Sequence, residues 1–237
     1  MQHAMQKISD CSDKDVEASF EDSFPFYDYS YKFKLSDAIP KNKTIDLQDK
    51  DEELSIFLTN NEELLQQYYR MRADYLGDYS SIVDYRQGQT IADKFGKILV
   101  IVNKNNQVVA GLRCIMNDGI EYSHANYQNY NIRNFLDEAG FGRDSKCIEL
   151  SALVTREDHR DFNFTKKMLE FSCNLAEMLR YDYILGFLTK INGRYYRTIL
   201  NDLNYKTSIM LNYKWINDSI YPMVARVKAS NKVDSVL

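Results

Sequence analysis

The chain is expected to fold as a mixed α/β (α+β) domain, a twisted sheet with helices on both faces, and three stretches carry that expectation. From Cys147 to Leu188 an apolar run, a polar connection, a long helical pattern and a second apolar run follow one another. That is the order of a right-handed parallel strand–helix–strand crossover. From Lys97 to Ile115 two β-rich runs flank the Asn-rich segment 103–106, which reads as an antiparallel hairpin. From Glu62 to Tyr75 apolar residues and Arg72 recur at spacings of three and four, the period of an amphipathic helix. A parallel unit with antiparallel neighbours on either side makes a mixed sheet.

Residues 1–50 hold ten Asp/Glu against seven Lys and no Arg, and are read as an acidic N-terminal arm preceding a domain over 51–237. Residues 1–23 read as a polar tail. In 26–35 the residues Tyr27, Tyr29, Tyr31, Phe33 and Leu35 alternate with polar ones, which gives a half-buried strand. That strand is either an added edge of the main sheet or an arm that covers a site or a partner's sheet. Pro40 and the polar run to Lys50 form a linker.

Leu54 to Leu58 is a short strand, and Thr59 or Asn60 is the expected cap of the helix that follows. A further short helix is expected near Ser81–Tyr85, then the 97–115 hairpin, then a helical piece near Asn131–Glu138. The strand of 148–154 leads into a helix over 163–180 and a strand over 181–188. A helix over 191–203 and strands at 206–211 and 221–227 close the chain. Along the chain the order is β-α-(α)-β-β-β-α-β-α-β-β.

The 237 residues are 44% hydrophobic and 27% charged, so a packed core is attainable and global disorder is excluded. A net charge of -4 argues against nucleic acid as a partner. Cys11, Cys114, Cys147 and Cys173 are scattered without a CxxC pair, and only His3, His124 and His159 are present. That pattern fits structural thiols in a reducing compartment, with no metal site. No apolar run reaches the roughly 20 residues of a membrane span, and the first residues lack a signal peptide's apolar core. A cytoplasmic protein without a transmembrane segment is the expectation.

Chemistry is expected around residues 147–170. A strand, a loop with cations and a helix start make an anion site, because the first N–H groups of a helix and its dipole favour a phosphate. Glu149 lies inside the apolar strand, where a charge is costly unless paired or used. It is read either as a base or amine-binding group, or as a carboxylate paired with Arg72 or Arg113. Arg156, Arg160, Lys166, Lys167, Lys190, Arg194 and Arg197 form a basic rim at the phosphate end. Lys166 and Lys167 alone read as a solvated helix face. His159 reads as a surface loop histidine, with no nucleophile motif beside it.

The element order, with motifs in matching positions over about residues 53–211, resembles the GCN5-related N-acetyltransferase (GNAT) fold. Within it the chain is most similar to the acyl-homoserine-lactone (autoinducer) synthases and N-acyl amino acid synthases. YYRMRADYL resembles that group's arginine-bearing helix, which places Arg72 on the arginine. IADKFGKILVIV resembles the acidic residue before a long strand, matching Asp93, while Thr90 stands where the second acid would be. VVAGLRCI matches a strand ending in an arginine, Arg113. CIELSALV resembles a Glu-x-Ser-Arg strand through Glu149 and Ser151, with Ala152 in the arginine's place. HRDFNFT falls on the superfamily's Arg/Gln-x-x-Gly-x-Gly/Ala loop, with Arg160 matching and Asn163 and Thr165 replacing small residues. NDLNYK falls on its Gly-Phe step, with Asn204 and Tyr205.

The resemblance implies an N-acyltransferase. It would move a fatty acyl chain from acyl carrier protein or CoA to the amine of an amino acid or similar small molecule, with the acyl thioester as co-substrate and no permanently bound cofactor. It implies Glu149 as catalytic, with backbone N–H groups of Leu153 and Val154 at a strand bulge as oxyanion donors. It implies Arg72, Asp93, Arg113 and Ser151 at the acceptor, although Asp93 by itself reads as part of a surface salt-bridge set. Thr155, Arg160, Asn163, Thr165, Phe187 and Tyr195 would hold the acyl and phosphopantetheine arm. Tyr181, Tyr183 and Tyr196 read as core, with one or two aromatics at a tunnel wall. A short-chain acetyltransferase and a binding module that keeps the fold without the chemistry are the alternatives.

Overall fold

The computed structural model describes residues 29–41, 51–76, 86, 88–116, 131–210 and 220–227. Among these residues eight strands form one sheet: β1 (Ser30–Lys34), β2 (Glu53–Thr59), β3 (Gly96–Val102), β4 (Val108–Ile115), β5 (Cys147–Thr155), β6 (Tyr183–Thr189), β7 (Lys206–Ile209) and β8 (Ile220–Arg226). Their spatial order is β1-β2-β3-β4-β5-β6-β8-β7. Every neighbouring pair is antiparallel except β5–β6. Among the described residues five α-helices accompany them: α1 (Glu62–Leu76), α2 (Ile91–Lys94), α3 (Ile132–Glu138), α4 (Phe164–Met178) and α5 (Lys190–Asp202).

Period-two alternation sorts side chains to the two faces. Leu99 and Ile101 of β3, with Leu112 and Cys114 of β4, join Phe164, Met168, Phe171 and Leu175 of α4 in the larger core. Ile98, Val100 and Val102 turn the other way and meet Leu64, Tyr68, Tyr69 and Met71 of α1. On that same face, beyond β5, Cys147, Leu185 and Val224 pack on Ile132, Phe135 and Leu136 of α3. The apolar layer above this face is therefore split in two, and the gap between its halves is where charged residues are buried.

Local chemistry sets the element ends. The β3–β4 turn is held by Asn103, whose Oδ1 accepts from the N–H groups of Asn105 and Gln107, both at 3.0 Å. Asn106 takes φ +58°, a left-handed conformation that Asn tolerates. The cap of α1 is Asn61, whose Oδ1 accepts from Leu64 N–H at 3.1 Å; Thr59 and Asn60 lie too early for this. Asn131 caps α3 through bonds from Arg133 and Asn134.

β1 is an edge strand paired antiparallel to β2 from Ser30↔Phe57 to Lys34↔Glu53. Its inward Phe33 and the following turn residues Leu35 and Ala38 belong to the main core, and Tyr29 and Tyr31 pack on Phe171 of α4. Lys167 is half-buried with its Nζ 5.2 Å from the Phe33 ring centroid, so it is not on a fully solvated face. The short helix expected at 81–85, the loop 117–130 and Trp215 lie outside the described residues. No helix among the described residues is long and apolar enough to cross a membrane.

Candidate active site

The charged residues buried in the gap, with Ser151 beside them, come from four elements. Arg72 stands on α1, Asp93 on α2, Arg113 on β4, and Glu149 and Ser151 on β5. Arg72, Arg113 and Glu149 are 0% exposed and Asp93 is 5% exposed. Asp93 is the hub. Its Oδ1 accepts from Arg72 Nη1 at 2.7 Å and Arg113 Nη1 at 3.2 Å. Its Oδ2 accepts from Arg72 Nη2 at 2.8 Å, Thr90 Oγ1 at 2.8 Å and Thr90 N–H at 2.6 Å. Arg72 Nη2 also donates to the Gly88 carbonyl at 2.7 Å, and Arg113 Nε donates to Ser151 Oγ at 3.1 Å. The Asp93 set expected at the surface is thus an interior network. Burial pushes the Asp93 carboxyl up, but the bonds from Arg72, the charges of Arg113 and Arg72 and the Thr90 N–H outweigh it. The carboxyl lies below its ordinary value.

Packing explains why these residue types fit. The Arg72 guanidinium carbon lies 5.2 Å and 5.0 Å from the ring centroids of Tyr68 and Tyr69, which partly replace its water. A Cβ on Gly96 would sit 2.9 Å from the Ala92 carbonyl and 3.0 Å from Arg113 Cγ, so only glycine lets α2 and the Arg113 stem lie this close. Glu149 pairs with Ile115 across the β4–β5 ladder, two residues along the same face from the Arg113↔Ser151 pair. The described part of this face therefore buries two guanidinium and two carboxyl groups side by side.

Next to that network the sheet opens. The β5–β6 ladder ends at Leu150↔Gly186; from there β6 pairs with β8 and β5 with β4. Between Arg113↔Ser151 and Gly111↔Val154 the β4–β5 register shifts, so that Ala152 and Leu153 lie opposite Leu112 alone. This is a β-bulge, with Ala152 at φ +52°. The bulge resets the alternation, leaving Leu153 against the main core and Val154 against α1. Arg156 N–H donates to the Val109 carbonyl on β4 at 2.9 Å. Backbone direction alternates along a strand, so Val154 N–H also turns to β4 and Thr155 N–H turns away from it. At the bulge the Ala152 carbonyl accepts from Tyr68 OH, and the Leu153 N–H, trans to it in the same peptide group, points away from that hydroxyl.

The residues expected to hold the donor arm are only partly gathered. Asn163 caps α4: its Oδ1 accepts from Lys166 N–H at 3.1 Å and from Tyr195 OH at 2.9 Å. Its own N–H donates to the Ala38 carbonyl at 2.6 Å, which ties the segment after β1 to the start of α4. Thr165 stands in the first turn of α4, and Thr155 and Phe187, both half-buried, flank the opening on β5 and β6. Arg160 lies instead over the Tyr75 ring of α1, 4.2 Å from its centroid. Arg156 bonds Asp158 at 2.7 Å and His159 Nδ1 lies 2.6 Å from the same carboxylate, with its ring against Phe162 and Phe164. His159 thus belongs to a local loop cluster. Tyr181 and Tyr196 pack against the main core, and Tyr183 packs on Phe141.

Thr90, noted from sequence only as standing in an acid's place, and three residues not singled out there also build the site. Thr90, Gly88 and Gly96 shape the Asp93 hub, and Tyr68 reaches the bulge: its OH donates to the Ala152 carbonyl at 2.8 Å. The Thr90-x-x-Asp93 spacing, that of a helix-start capping box, was the available signal for the first.

No protein-family model matches the chain, and no curated protein matches it in sequence. Solved structures match in fold. The AHL synthase LasI superposes with a TM-score of 0.55 at 10% identity, over 75% of this chain and 91% of that one. FeeM, an N-acyl amino acid synthase from uncultured soil microbes, gives 0.52 at 9%, over 74% and 92%. A CoA-dependent acyl-homoserine lactone synthase, BjaI, solved with SAM and isopentyl-CoA, gives 0.51 at 10%, over 70% and 77%. The chain has the GNAT fold in a form similar to these synthases.

Proposed function

We propose that the protein is an N-acyltransferase that moves an acyl chain from a carrier thioester to the amine of an amino acid or related small molecule. The observation that carries this reading is the junction of the buried Arg72–Asp93–Arg113–Ser151 network and Glu149 with the opened, bulged end of β5. The thioester would lie in the opening between β5 and β6, its carbonyl oxygen toward Leu153 N–H. The amine nitrogen bonds to the acyl carbon, the carbon–sulfur bond breaks, and charge on the oxygen is met by that N–H. Glu149 takes the proton that the amine must lose, and that proton then passes to the departing thiolate, which leaves as the thiol. Arg72 and Arg113 both already bond Asp93, so the part of these three is to fix the floor of the acceptor pocket and the position of Ser151.

The start of α4 supports an acyl carrier protein as donor more than CoA. Asn163 and Thr165 bring side chains where glycine would let a pyrophosphate approach, and the Asn163 N–H is already bonded to Ala38. A carrier protein's arm presents a single phosphate, and Arg194, Arg197 and Lys190 on exposed α5 suit an acidic partner. The same occupied N–H group favours, as second reading, a binding module without turnover.

The test is incubation of the purified protein with acyl-carrier-protein and acyl-CoA pools of mixed length, amino acids and S-adenosylmethionine, read by mass spectrometry for new acyl amides. Amide formed by the wild type and lost in Glu149→Gln supports the reading and names donor and acceptor. Amide unaffected by that change removes Glu149 from the mechanism. No product and no thermal shift with any thioester overturns the enzyme.

A further inference from the structure

We infer that Tyr68 is a positioning residue that sets the direction of the Leu153 N–H by anchoring the β5 bulge from helix α1. The inference rests on the acyltransferase reading for its kinetic consequence, but its structural content stands apart from it.

Tyr68 is 0% exposed, and its OH donates to the Ala152 carbonyl at 2.8 Å, 84 residues away in sequence. The ring reaches that carbonyl by passing close over Gly111, where an added Cβ would fall 2.3 Å from Tyr68 Cδ2. Gly111 pairs with Val154, so the ring crosses β4 beside the bulge. Ala152 sits at φ +52°, a conformation that non-glycine residues avoid and hold only when neighbours enforce it. One carbonyl taken from outside the sheet supplies that enforcement. Leu153 follows directly, and the geometry of Ala152 decides whether its N–H faces the opening or turns toward β4. The Tyr68 ring also lies 5.2 Å from the Arg72 guanidinium carbon, one helical turn on. A single face of α1 therefore holds both the acidic hub and the bulge, fixing their separation.

The test uses the full chain with Tyr68→Phe, which keeps the ring over Gly111 and removes only the hydrogen bond. Two readouts are taken: steady-state amide formation, and the amide resonance and hydrogen exchange of Leu153 in 15N-leucine-labelled protein. Expected is a fall in kcat of about 10-fold or more with KM within about 2-fold, since removal of an oxyanion donor itself costs 10²–10³. Leu153 should shift and exchange faster while Leu99, deep in β3, does not change. An unchanged Leu153 amide overturns the inference, whether or not the wild type is active. A wild type without activity overturns the acyltransferase reading alone. A changed amide with unchanged kcat in an active enzyme overturns the catalytic consequence. Should Tyr68→Phe fail to fold, the pair Tyr68→Phe with Ala152→Gly decides, because glycine takes a positive φ unaided. Folding restored by the glycine supports the tether, and folding not restored overturns it.

Discussion

The Arg72 guanidinium meets Asp93 with both terminal nitrogens, Nη1 to Oδ1 at 2.7 Å and Nη2 to Oδ2 at 2.8 Å. Both side chains are fully buried, and the remaining capacity of the carboxylate is filled by Thr90 and Arg113. Asp93→Asn would leave two buried guanidiniums facing an amide with one acceptor. A stability loss of about 3–5 kcal/mol is expected in denaturant unfolding, the cost of breaking a buried pair from one side. Arg72→Lys should also be costly, because an ammonium cannot make the paired fork or keep Gly88.

The same pair predicts a pH response. The Asp93 carboxyl is held below its unfolded value, so folding releases a proton from it as pH falls into the acid range. Its stabilisation is complete above the unfolded value of about 4 and is lost as pH falls through the lower folded value. Thermal midpoints should therefore be insensitive to Asp93 between about pH 5 and 8 and drop below about pH 4. In Asp93→Asn the acid drop should be shallower. A wild-type midpoint that declines instead toward pH 8 would reject the assignment.

The sheet was legible because its strands repeat at a period of two and β5–α4–β6 is a crossover with apolar ends. Glu149 was legible because a charge inside an apolar strand is conspicuous, whereas Arg72 and Arg113 were placed by the resemblance of their motifs. Asp93 was placed by resemblance too, but its burial was not legible, since TIADK is polar enough to pass for surface. Its partners are 21 and 20 residues away, and burial appears only when α1 and β4 close over it. Tyr68 was hidden for the opposite reason. An aromatic at helical spacing reads as core, and only the bulge shows that its hydroxyl has a task. The bulge itself leaves no mark in LSALV, because Ala152 carries no preference for positive φ.

Core membership of β1 is testable by one side chain. Phe33 is 6% exposed, lies edge-on to Phe164 with centroids 6.4 Å apart and is covered by Lys167. Phe33→Ala should cost about 3–5 kcal/mol, the range for buried Phe truncation. Lys32, on the other face of the same strand, pairs with Glu53 at 2.6 Å but with side-chain exposures of 67% and 59%. Lys32→Ala should leave the unfolding midpoint unchanged, because such pairs are screened by water. Equal losses in the two variants would contradict the burial pattern.

The cysteines report on native closure. Burial pushes the Cys114 and Cys147 thiols up to about 12, so almost no thiolate exists at neutral pH. Alkylation followed by peptide mass spectrometry should leave both unmodified in the native protein and modify both after denaturation. Because Cys114 faces α4 and Cys147 faces α3, their protection reads the two sides of the sheet separately. Asp93→Asn should expose neither at low denaturant unless the whole sheet opens.

Asn204 follows α5 at φ +63°, a left-handed conformation. Its N–H donates to the Asn201 carbonyl and Tyr205 N–H to the Leu200 carbonyl, both at 2.8 Å, closing the last turn of the helix. Asn tolerates this left-handed conformation better than other side chains, but glycine takes it without strain. Asn204→Gly should therefore keep or slightly raise the unfolding midpoint, while Asn204→Ala should lower stability by about 1 kcal/mol. The position also sets where Tyr205 enters the core and bonds Glu177 of α4. In Asn204→Ala the Tyr205 hydroxyl should lose part of its protection, visible as a change in tyrosine absorbance on mild warming. A stabilising Ala and a destabilising Gly would mean that the side-chain amide, and not the backbone conformation, is what the turn requires.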